Sequence, residues 1–369
     1  MDVKSPSASL FSPSGSILLV GLGTILVLAA VLFDWQVGQN LGNSDFLANF
    51  PMTVSLVITS VMAAMAGFIA VPWLQKIKAG QFIREDGPKA HLKKAGTPTM
   101  GGIFFVPVGV IVALLLSKFA PQVMAASLMT LAYAGIGWVD DWQILQKKSN
   151  QGISPRGKLL LQIAIAIAFC FWLYYTQPGS ITNVNLPFGI ILGLGIFFWP
   201  LAGFVLAAES NATNLTDGVD GLAAGTGAIA LLGLGAVAAP QFPELMVFCA
   251  CMSGSYLGFL LHNRNPAQVF MGDTGSLALG GALGAVGLIS SNLWPLFILS
   301  GIFFVESLSV IAQVSYYKAT KGPDGIGKRL FKMAPIHHHL ELSGWTETQV
   351  VGVFYLINAL LALLGYFGN

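Results

Sequence analysis

The chain has 369 residues, of which 55% are hydrophobic and only 9% are charged, and its mean hydropathy is +0.73. Because about 25% of the residues of a soluble domain are charged, this composition excludes an ordinary soluble fold and predicts a protein surrounded by membrane lipid. The net charge of +2 gives no basic excess that would indicate a nucleic-acid partner. The three cysteines, Cys170, Cys249 and Cys251, lie in apolar stretches and are predicted to be buried and reduced.

Eleven apolar runs are each about long enough to cross a bilayer, for which a helix needs roughly 17 to 25 residues. The runs do not alternate and are too long for the strands of a membrane barrel, which have about ten residues. They therefore predict an all-α fold, a polytopic membrane helical bundle. The runs cover residues 16–33, 53–74, 102–117, 123–139, 159–176, 189–208, 222–239, 245–261, 275–291, 293–317 and 349–367.

The first run has a second interpretation, because a signal peptide would also begin with an apolar stretch. Only Lys4 precedes it as a positive charge, balanced by Asp2, and no small-residue cleavage site stands out before Asp34. We therefore predict an N-terminal extension, residues 1–50, with one extra membrane helix. Residues 51–369 are predicted to form a ten-helix core.

Positive charges fall in alternate loops of the predicted bundle, which marks those loops as cytoplasmic. The intervening loops contain little beyond Lys118, and the segment 209–221 falls on the basic side by parity. The chemistry is therefore predicted at the cytoplasmic face. The basic residues are Lys76, Lys78, Arg84, Lys89, Lys93 and Lys94 in one loop, Lys147, Lys148, Arg156 and Lys158 in the next, Arg264 in a third, and Lys318, Lys321, Lys328, Arg329 and Lys332 in a fourth.

Two adjacent carboxylates, Asp140 and Asp141, follow the fourth apolar run. Neighbouring residues on a helix point about 100° apart, so the pair can face one small ligand only if the helix ends there. A solvated helix end is the alternative, but carboxylates at a helix C-terminus oppose the helix dipole. This unfavourable placement favours a functional role.

Two further loops carry oxygen-bearing side chains. Asn214, Asp217 and Asp220 recur every third residue, with Gly218 beside them, but the bidentate glutamate of a calcium loop is missing. A structural turn is the alternative for this loop. Asp273 precedes an apolar helix, so it either caps that helix or places a metal ion or phosphate at its start.

Three consecutive histidines, His337, His338 and His339, lie in the last basic loop. Zinc is the minority interpretation, because zinc ligands are usually separated and only His91 and His262 remain elsewhere. Together these loops supply carboxylates for Mg²⁺ and cations for phosphates, as in a metal-assisted phosphoryl-transfer site. No Walker loop is present. A site at the face of a lipid-embedded bundle favours one soluble and one lipid substrate.

Six of these stretches, in their order along the chain, resemble the polyprenyl-phosphate N-acetylhexosamine-1-phosphate transferases. Each stretch is short, but six in order are specific, and they cover the chain except its N-terminus. Residues 334–339 are most similar to those of members that use UDP-N-acetylmuramoyl-pentapeptide. The stretches are residues 86–102, 140–141, 214–222, 270–281, 306–313 and 333–341.

The resemblance implies that undecaprenyl phosphate attacks the β-phosphorus of UDP-N-acetylmuramoyl-pentapeptide, giving lipid I and UMP with Mg²⁺ as cofactor. It also implies a bacterial inner-membrane enzyme whose active site faces the cytoplasm, and a possible homodimer. Asp140, Asp141 and Asp273 are the implied metal ligands, with Asp140 the proposed base and His337 a further catalytic residue. The implied substrate-binding residues are Lys93, Lys94, Arg156, Lys158, Asn214, Asp217, Gly218, Asp220, Asn263, Phe270 as the ring on uracil, Gln313, Ala334, His338 and His339.

Alternatives stay open at this point. The four basic residues among these could be membrane anchors on the inner side. A UDP-N-acetylglucosamine-1-phosphate transferase shares the aspartate motifs. A secondary transporter of a phosphorylated solute would also carry polar residues, although transporters bind near mid-membrane. Glu306 interrupts an apolar run and is interpreted as structural support, with a role in a lipid groove as the alternative. Pro295 and the glycines near it are predicted to bend that run and open a groove for a lipid tail.

Overall fold

The computed structural model describes residues 13–40, 51–77, 94, 96–147 and 152–368. Helices dominate this part of the chain, which confirms the predicted all-α fold. The helices are α1 Gly15–Asn40, α2 Met52–Lys76, α3 Gly102–Leu116, α4 Pro121–Lys147, α5 Pro155–Thr176, α6 Phe198–Thr216, α7 Leu222–Ala238, α8 Pro243–Asn263, α9 Gly272–Ile289, α10 Leu293–Leu299, α11 Gly301–Ala319, α12 Ile336–Glu341 and α13 Glu347–Phe367.

The chain is a multi-pass membrane protein. Among the described residues, seven helices are long and apolar enough to cross a membrane, and there are eight if the bent pair α10 and α11 is counted as one span. The apolar helices α3 and α7 are shorter. Each of the eleven predicted apolar runs overlaps a helix, so the run pattern located the elements correctly.

The centre of the bundle is formed by α8 and α9. In the most apolar 18 residues of each helix, 94% of the residues of α8 and 89% of those of α9 are buried. Tight packing there depends on small residues. A Cβ atom at Gly254 or Gly258 of α8 would lie 2.3 Å from Leu56 O or 2.2 Å from Ser60 O, both on α2. The two glycines lie one turn apart, and their bare backbone lets α2 approach closely.

Helix α1 packs along the outside of this core. One stripe of its residues is buried, namely Leu22, Leu26, Ala30 and Phe33. At its start, Ser16 Oγ accepts a hydrogen bond from Arg264 Nε at 3.2 Å. Near its other end, the Asp34 carboxylate accepts from the backbone N–H groups of Met52 and Thr53, both at 2.9 Å, and so caps α2.

Two predicted helices differ from the structure. The run 189–208 begins in an antiparallel hairpin, β1 Asn183–Asn185 with β2 Ile191–Gly193, in which Val184 pairs with Leu192. Gly189 and Gly195 adopt positive φ angles of 72° and 52°, which an α-helix does not allow, so α6 starts only at Phe198. It then continues to Thr216, so the prediction of a loop from residue 209 was wrong over its first two turns.

The run 293–317 is bent, as predicted, by 70° between α10 and α11. The bend lies at Ser300, directly before Gly301, so it falls at one of the glycines near Pro295 and not at Pro295 itself. Pro295 is the third residue of α10, where a missing N–H removes no intrahelical bond.

Candidate active site

Asp140 and Asp141 lie within α4, which continues to Lys147, so the prediction that the helix ends at this pair was wrong. Their side chains point to different neighbours. Asp140 Oδ1 accepts from the backbone N–H of Ile153 at 2.8 Å. Asp141 turns to the start of α9, where Oδ1 accepts from Asp273 N at 3.1 Å.

Asp141 caps helix α9 from outside that helix. Its Oδ2 accepts from both the backbone N–H and the hydroxyl of Thr274, at 3.0 and 2.6 Å. Asp273 is already in the first turn of α9, so the alternative that Asp273 is the N-cap does not hold. Gly272, with a φ of 70°, makes the turn possible, because a Cβ atom there would lie 2.5 Å from Asp141 Oδ2.

The Lys158 ammonium lies between two carboxylates. It is 3.2 Å from Asp140 Oδ1 and forms a second ion pair with Asp273 Oδ2. On the other side of Asp273, Asn214 Nδ2 donates to Oδ1 at 2.7 Å and also to Ser276 Oγ at 2.9 Å. We call Asp140, Lys158, Asn214 and Asp273 the carboxylate centre.

The carboxylate centre fits a magnesium ion with few protein ligands. Asp140 and Asp273 both reach one ammonium group, so the two carboxylates are close enough to share one cation. Mg²⁺ commonly takes one or two carboxylates and completes its coordination with water and substrate phosphate. Among the described residues, no three His, Cys, Asp or Glu side chains form a group that could hold a metal, and both Asp141 oxygens already accept hydrogen bonds from α9.

A turn after α6 meets the histidine loop. A Cβ atom at Gly218 would lie 2.2 Å from His337 Nε2, so the glycine lets the ring lie directly against the backbone. His337 is fully buried, and its Nδ1 lies 3.0 Å from Glu306 Oε2 on α11. Burial, together with the nearby charges of Asp273 and Asp220, raises the pKa of Asp217 to about 7.

Lys94 and Asp220, both predicted to bind substrate, contact each other. Lys94 Nζ is 2.8 Å from Asp220 Oδ1 and 2.7 Å from Glu347 Oε2. Asn265 Nδ2 donates to the same two carboxylates, to Asp220 Oδ2 at 3.1 Å and to Glu347 Oε2 at 3.0 Å. Burial acts against the charge of Lys94, but the two carboxylates outweigh it and raise the pKa of Lys94.

Asn263 is buried and holds neighbouring backbone in place. It accepts from Gly221 N at 3.0 Å and donates to Val269 O at 2.9 Å. Phe270, which follows Val269, is half-buried. Its backbone N–H donates a hydrogen bond to Pro98 O, and its carbonyl oxygen accepts one from Gly101 N. Its predicted role as the ring on uracil stays a prediction.

Gln313 and Ala334 line one cavity of about 460 Å³, which does not include Asn214, Asp217 or Phe270, so their predicted place in the nucleoside pocket stays a prediction. Gln313 also fixes the backbone next to this cavity, because Gln313 Oε1 accepts hydrogen bonds from the backbone N–H groups of Leu330 and Phe331, both at 2.9 Å. His338 Nδ1 lies 2.7 Å from Glu341 Oε2, and His339 Nδ1 accepts from Lys332 N at 3.1 Å.

Two predicted residues remain. Arg156 is exposed in the first turn of α5 and does not join these clusters within the described part of the chain, and Lys93 lies outside the described residues. Four contributors were missed from the sequence: Thr274, Ser276, Asn265 and Glu347. Thr274 follows Asp273 directly, which was a usable signal, whereas the side chain of Glu347 reaches the site only because α13 packs beside it.

An apolar groove lies between α5 and α6 and begins one residue after Lys158. Its volume is about 700 Å³, and no charged side chain of the described residues lines it. An uncharged lining of this kind suits an apolar ligand better than a charged one. The groove is lined by Leu159, Ile163, Ile167, Cys170, Phe171, Tyr174, Tyr175, Trp199, Pro200, Gly203, Phe204 and Ala207.

Comparison with known proteins gives a consistent relationship. The family model described as glycosyl transferase family 4 matches residues 123–291, and a phospho-N-acetylmuramoyl-pentapeptide-transferase signature matches residues 94–106. The phospho-N-acetylmuramoyl-pentapeptide-transferase of Gloeothece citriformis is 66% identical over 360 residues, which cover 98% of this chain and 97% of the relative. The chain belongs to the phospho-N-acetylmuramoyl-pentapeptide-transferase family.

Other members match over their whole length. The phospho-N-acetylmuramoyl-pentapeptide-transferase of Rippkaea orientalis is 64% identical, with 99% of each chain covered. That of Microcystis aeruginosa is 59% identical, with 100% of each chain covered. Full coverage includes the N-terminal extension, so α1 is matched in these family members as well.

Proposed function

We propose that this protein transfers phospho-N-acetylmuramoyl-pentapeptide from its UDP-activated form to undecaprenyl phosphate, giving lipid I and UMP. The proposal rests on two features of α5: Lys158, which pairs with Asp140 and Asp273, is followed directly by Leu159, which lines an uncharged groove. The carboxylate centre suits phosphate chemistry, and the uncharged groove suits a polyprenyl tail. Membership in a family whose relatives bear this enzyme name supports the same substrates.

In this reaction a phosphate oxygen of undecaprenyl phosphate attacks the β-phosphorus of the donor. A new phosphorus–oxygen bond forms, the bond between the two donor phosphates breaks, and UMP leaves with the electron pair. The second pKa of a phosphomonoester is about 6, so the attacking phosphate is mostly dianionic at neutral pH. Asp140 therefore has little need to act as a base, and its main task is to position the cation.

Asp140 and Asp273 would hold Mg²⁺, and Asp141 would orient Asp273 through the start of α9. When bound, such an ion would supply positive charge that offsets the negative charge of the donor and acceptor phosphates. Lys158 neutralises the two carboxylates before the substrates arrive. Because its ammonium is on a flexible stem, Lys158 would also be able to turn toward a substrate phosphate.

The donor would lie on the other side of Asn214, against the turn of Asp217 and Gly218 and the His337 ring. Phe270 would contact uracil, and the cavity beside Gln313 and Ala334 would extend the donor site. In this arrangement the acceptor enters from the groove and the donor from the water. The two phosphates then meet at Asp273.

We also propose that the protein resides in a bacterial inner membrane with the carboxylate centre facing the cytoplasm. The basic residues of the loops around that centre favour this orientation. A homodimer remains a proposal that rests on resemblance alone. Measuring the mass of the detergent-solubilised protein would test it.

The test is UMP release by purified protein with undecaprenyl phosphate and Mg²⁺. We expect release with UDP-N-acetylmuramoyl-pentapeptide, none with UDP-N-acetylglucosamine, and loss of activity in EDTA. Asp273→Asn should be inactive, while Asp324→Asn in an exposed loop is the matched control and should be active. Release with the second donor alone would move the protein to the N-acetylglucosamine pathway, and no release from folded protein would favour the transporter.

A further inference from the structure

We propose that α1, which packs along the outside of the bundle, positions the donor side of the active site. Its first turn braces the backbone of Arg264 and Asn265, so that the Asn265 side chain holds Asp220 and Glu347 around Lys94. The inference rests on the proposed function for its kinetic consequence. The contacts that carry it are independent of any substrate.

The brace begins at Gly15, the first residue of α1. Gly15 is buried against Asn265, and a Cβ atom there would lie 2.2 Å from Asn265 O and 2.8 Å from Asn265 N. Ser16 adds the hydrogen bond from Arg264 Nε at 3.2 Å. The start of α1 therefore touches the backbone of this turn with no space for a methyl group.

The turn then fixes three charged groups. Asn265 Nδ2 donates to Asp220 at 3.1 Å and to Glu347 at 3.0 Å, and Ala267 N donates to Asp220 at 3.0 Å. Both carboxylates contact the Lys94 ammonium. If Asn265 moves, its side-chain amide loses its hydrogen bonds to both Asp220 and Glu347. These two carboxylates are the groups that orient the Lys94 ammonium.

Contacts along the rest of α1 fix the position of this helix against the core. Asp34 caps α2, and the buried stripe from Leu22 to Phe33 packs on the core. The helix is thus fastened at both ends and along one side. A rigid strut of this kind transmits the position of the core to the Asn265 turn, whereas a loosely held helix would not.

The sharpest test compares two alanine substitutions on α1. Gly15→Ala puts a methyl group into Asn265, while Gly21→Ala has nothing within 4 Å and is the matched control. Alanine favours the helix at both positions. We expect Gly15→Ala to raise the KM for the UDP-linked donor several-fold, with kcat and the KM for undecaprenyl phosphate within about twofold of the unchanged protein.

A double substitution tests the route through Asn265. Asn265→Ala alone should raise the donor KM, and Gly15→Ala should add little in that background, because coupled residues are not additive. Ser16→Ala, which removes one hydrogen bond without adding bulk, should shift the donor KM in the same direction. Equal kinetics for Gly15→Ala and Gly21→Ala, or full additivity with Asn265→Ala, would overturn the proposal.

A readout without turnover separates this proposal from the proposed function. Acetylation of Lys94 by a water-soluble reagent, followed by mass spectrometry, should be slow in the unchanged protein and faster in Gly15→Ala. Exposed Lys76 should react equally in both. If the protein releases no UMP but Lys94 responds in this way, the brace stands and the function fails; unchanged Lys94 reactivity removes the brace.

Discussion

Asp140 and Asp141 are adjacent in the chain but act on different parts of the site. Asp140 faces Lys158 and the loop before α5, while Asp141 is bound to the start of α9. A carboxylate at a helix N-terminus satisfies free N–H groups and complements the helix dipole. Asp141 therefore sets the position of Asp273, whatever contact it makes with a metal.

We predict that Asp141→Asn destabilises the metal-free protein. The asparagine keeps one acceptor oxygen but turns an NH₂ group toward an N–H of Asp273 or Thr274, and an unsatisfied buried donor costs about 1–3 kcal/mol. The apparent Tm in detergent with EDTA should fall by about 2–8 °C. Differential scanning fluorimetry measures this directly.

Asp140→Asn is the matched control for this substitution. Its remaining oxygen can still accept from Ile153 N, and the loss of its ion pair with Lys158 is offset by weaker repulsion with the neighbouring Asp273 carboxylate. Its apparent Tm in EDTA should therefore stay near that of the unchanged protein. Equal losses in the two variants would contradict the capping role of Asp141.

The sequence identified most residues of the site but not their partners. Asp273 was recognisable because it starts an apolar helix, yet a cap supplied by Asp141 from another helix leaves no local pattern. Lys94 and Lys158 were identified as cations for phosphates, whereas the structure pairs both with carboxylates. Such pairings depend on which helices are neighbours, and spacing along one segment does not report this.

At the scale of elements, apolar run length predicted where helices lie better than where they begin. The run 189–208 is uniformly apolar, but its glycines form a hairpin before α6 starts. The bend was predicted at Pro295 and the glycines near it, and it lies at Ser300, directly before Gly301. Hydropathy averages over about a turn or more of helix, so it cannot resolve a break caused by one or two residues.

The groove between α5 and α6 gives a prediction at this scale. Gly203 lines the groove, and a Cβ atom added to it would have nothing within 4 Å, so Gly203→Leu would fill space that the lipid tail needs. We expect a several-fold rise in the KM for undecaprenyl phosphate with an unchanged KM for the donor. Steady-state UMP release at varied lipid concentration measures both constants.

Gly135→Leu on α4 is the control for this substitution. Gly135 also has open space around it but does not line the groove. It should leave both KM values unchanged. A rise in the donor KM for Gly203→Leu would indicate that the groove serves another part of the reaction.

At the scale of the whole molecule, the sequence places every lysine and arginine except Lys4 and Lys118 in alternate loops. Within the described residues, Asp140 and Asp273 from separate segments share Lys158, and Asp220 and Glu347 share Lys94. Composition correctly predicted a membrane protein, because the cost of placing charge in lipid acts on every residue of the chain. The cytoplasmic position of the candidate site stays a prediction.

The same asymmetry gives a proteolysis prediction for membrane orientation. Lys118, in the turn between α3 and α4, is the only lysine or arginine that the sequence places in the loops opposite the carboxylate centre. Exposed basic residues between α11 and α12, including Lys321, Lys328 and Arg329, lie on the side of the centre. Trypsin should therefore cut between α11 and α12 in inverted vesicles and release a fragment containing α13, while right-side-out vesicles should protect that segment. Detergent should remove the protection, and cleavage between α11 and α12 in intact right-side-out vesicles would reverse the proposed orientation of the active site.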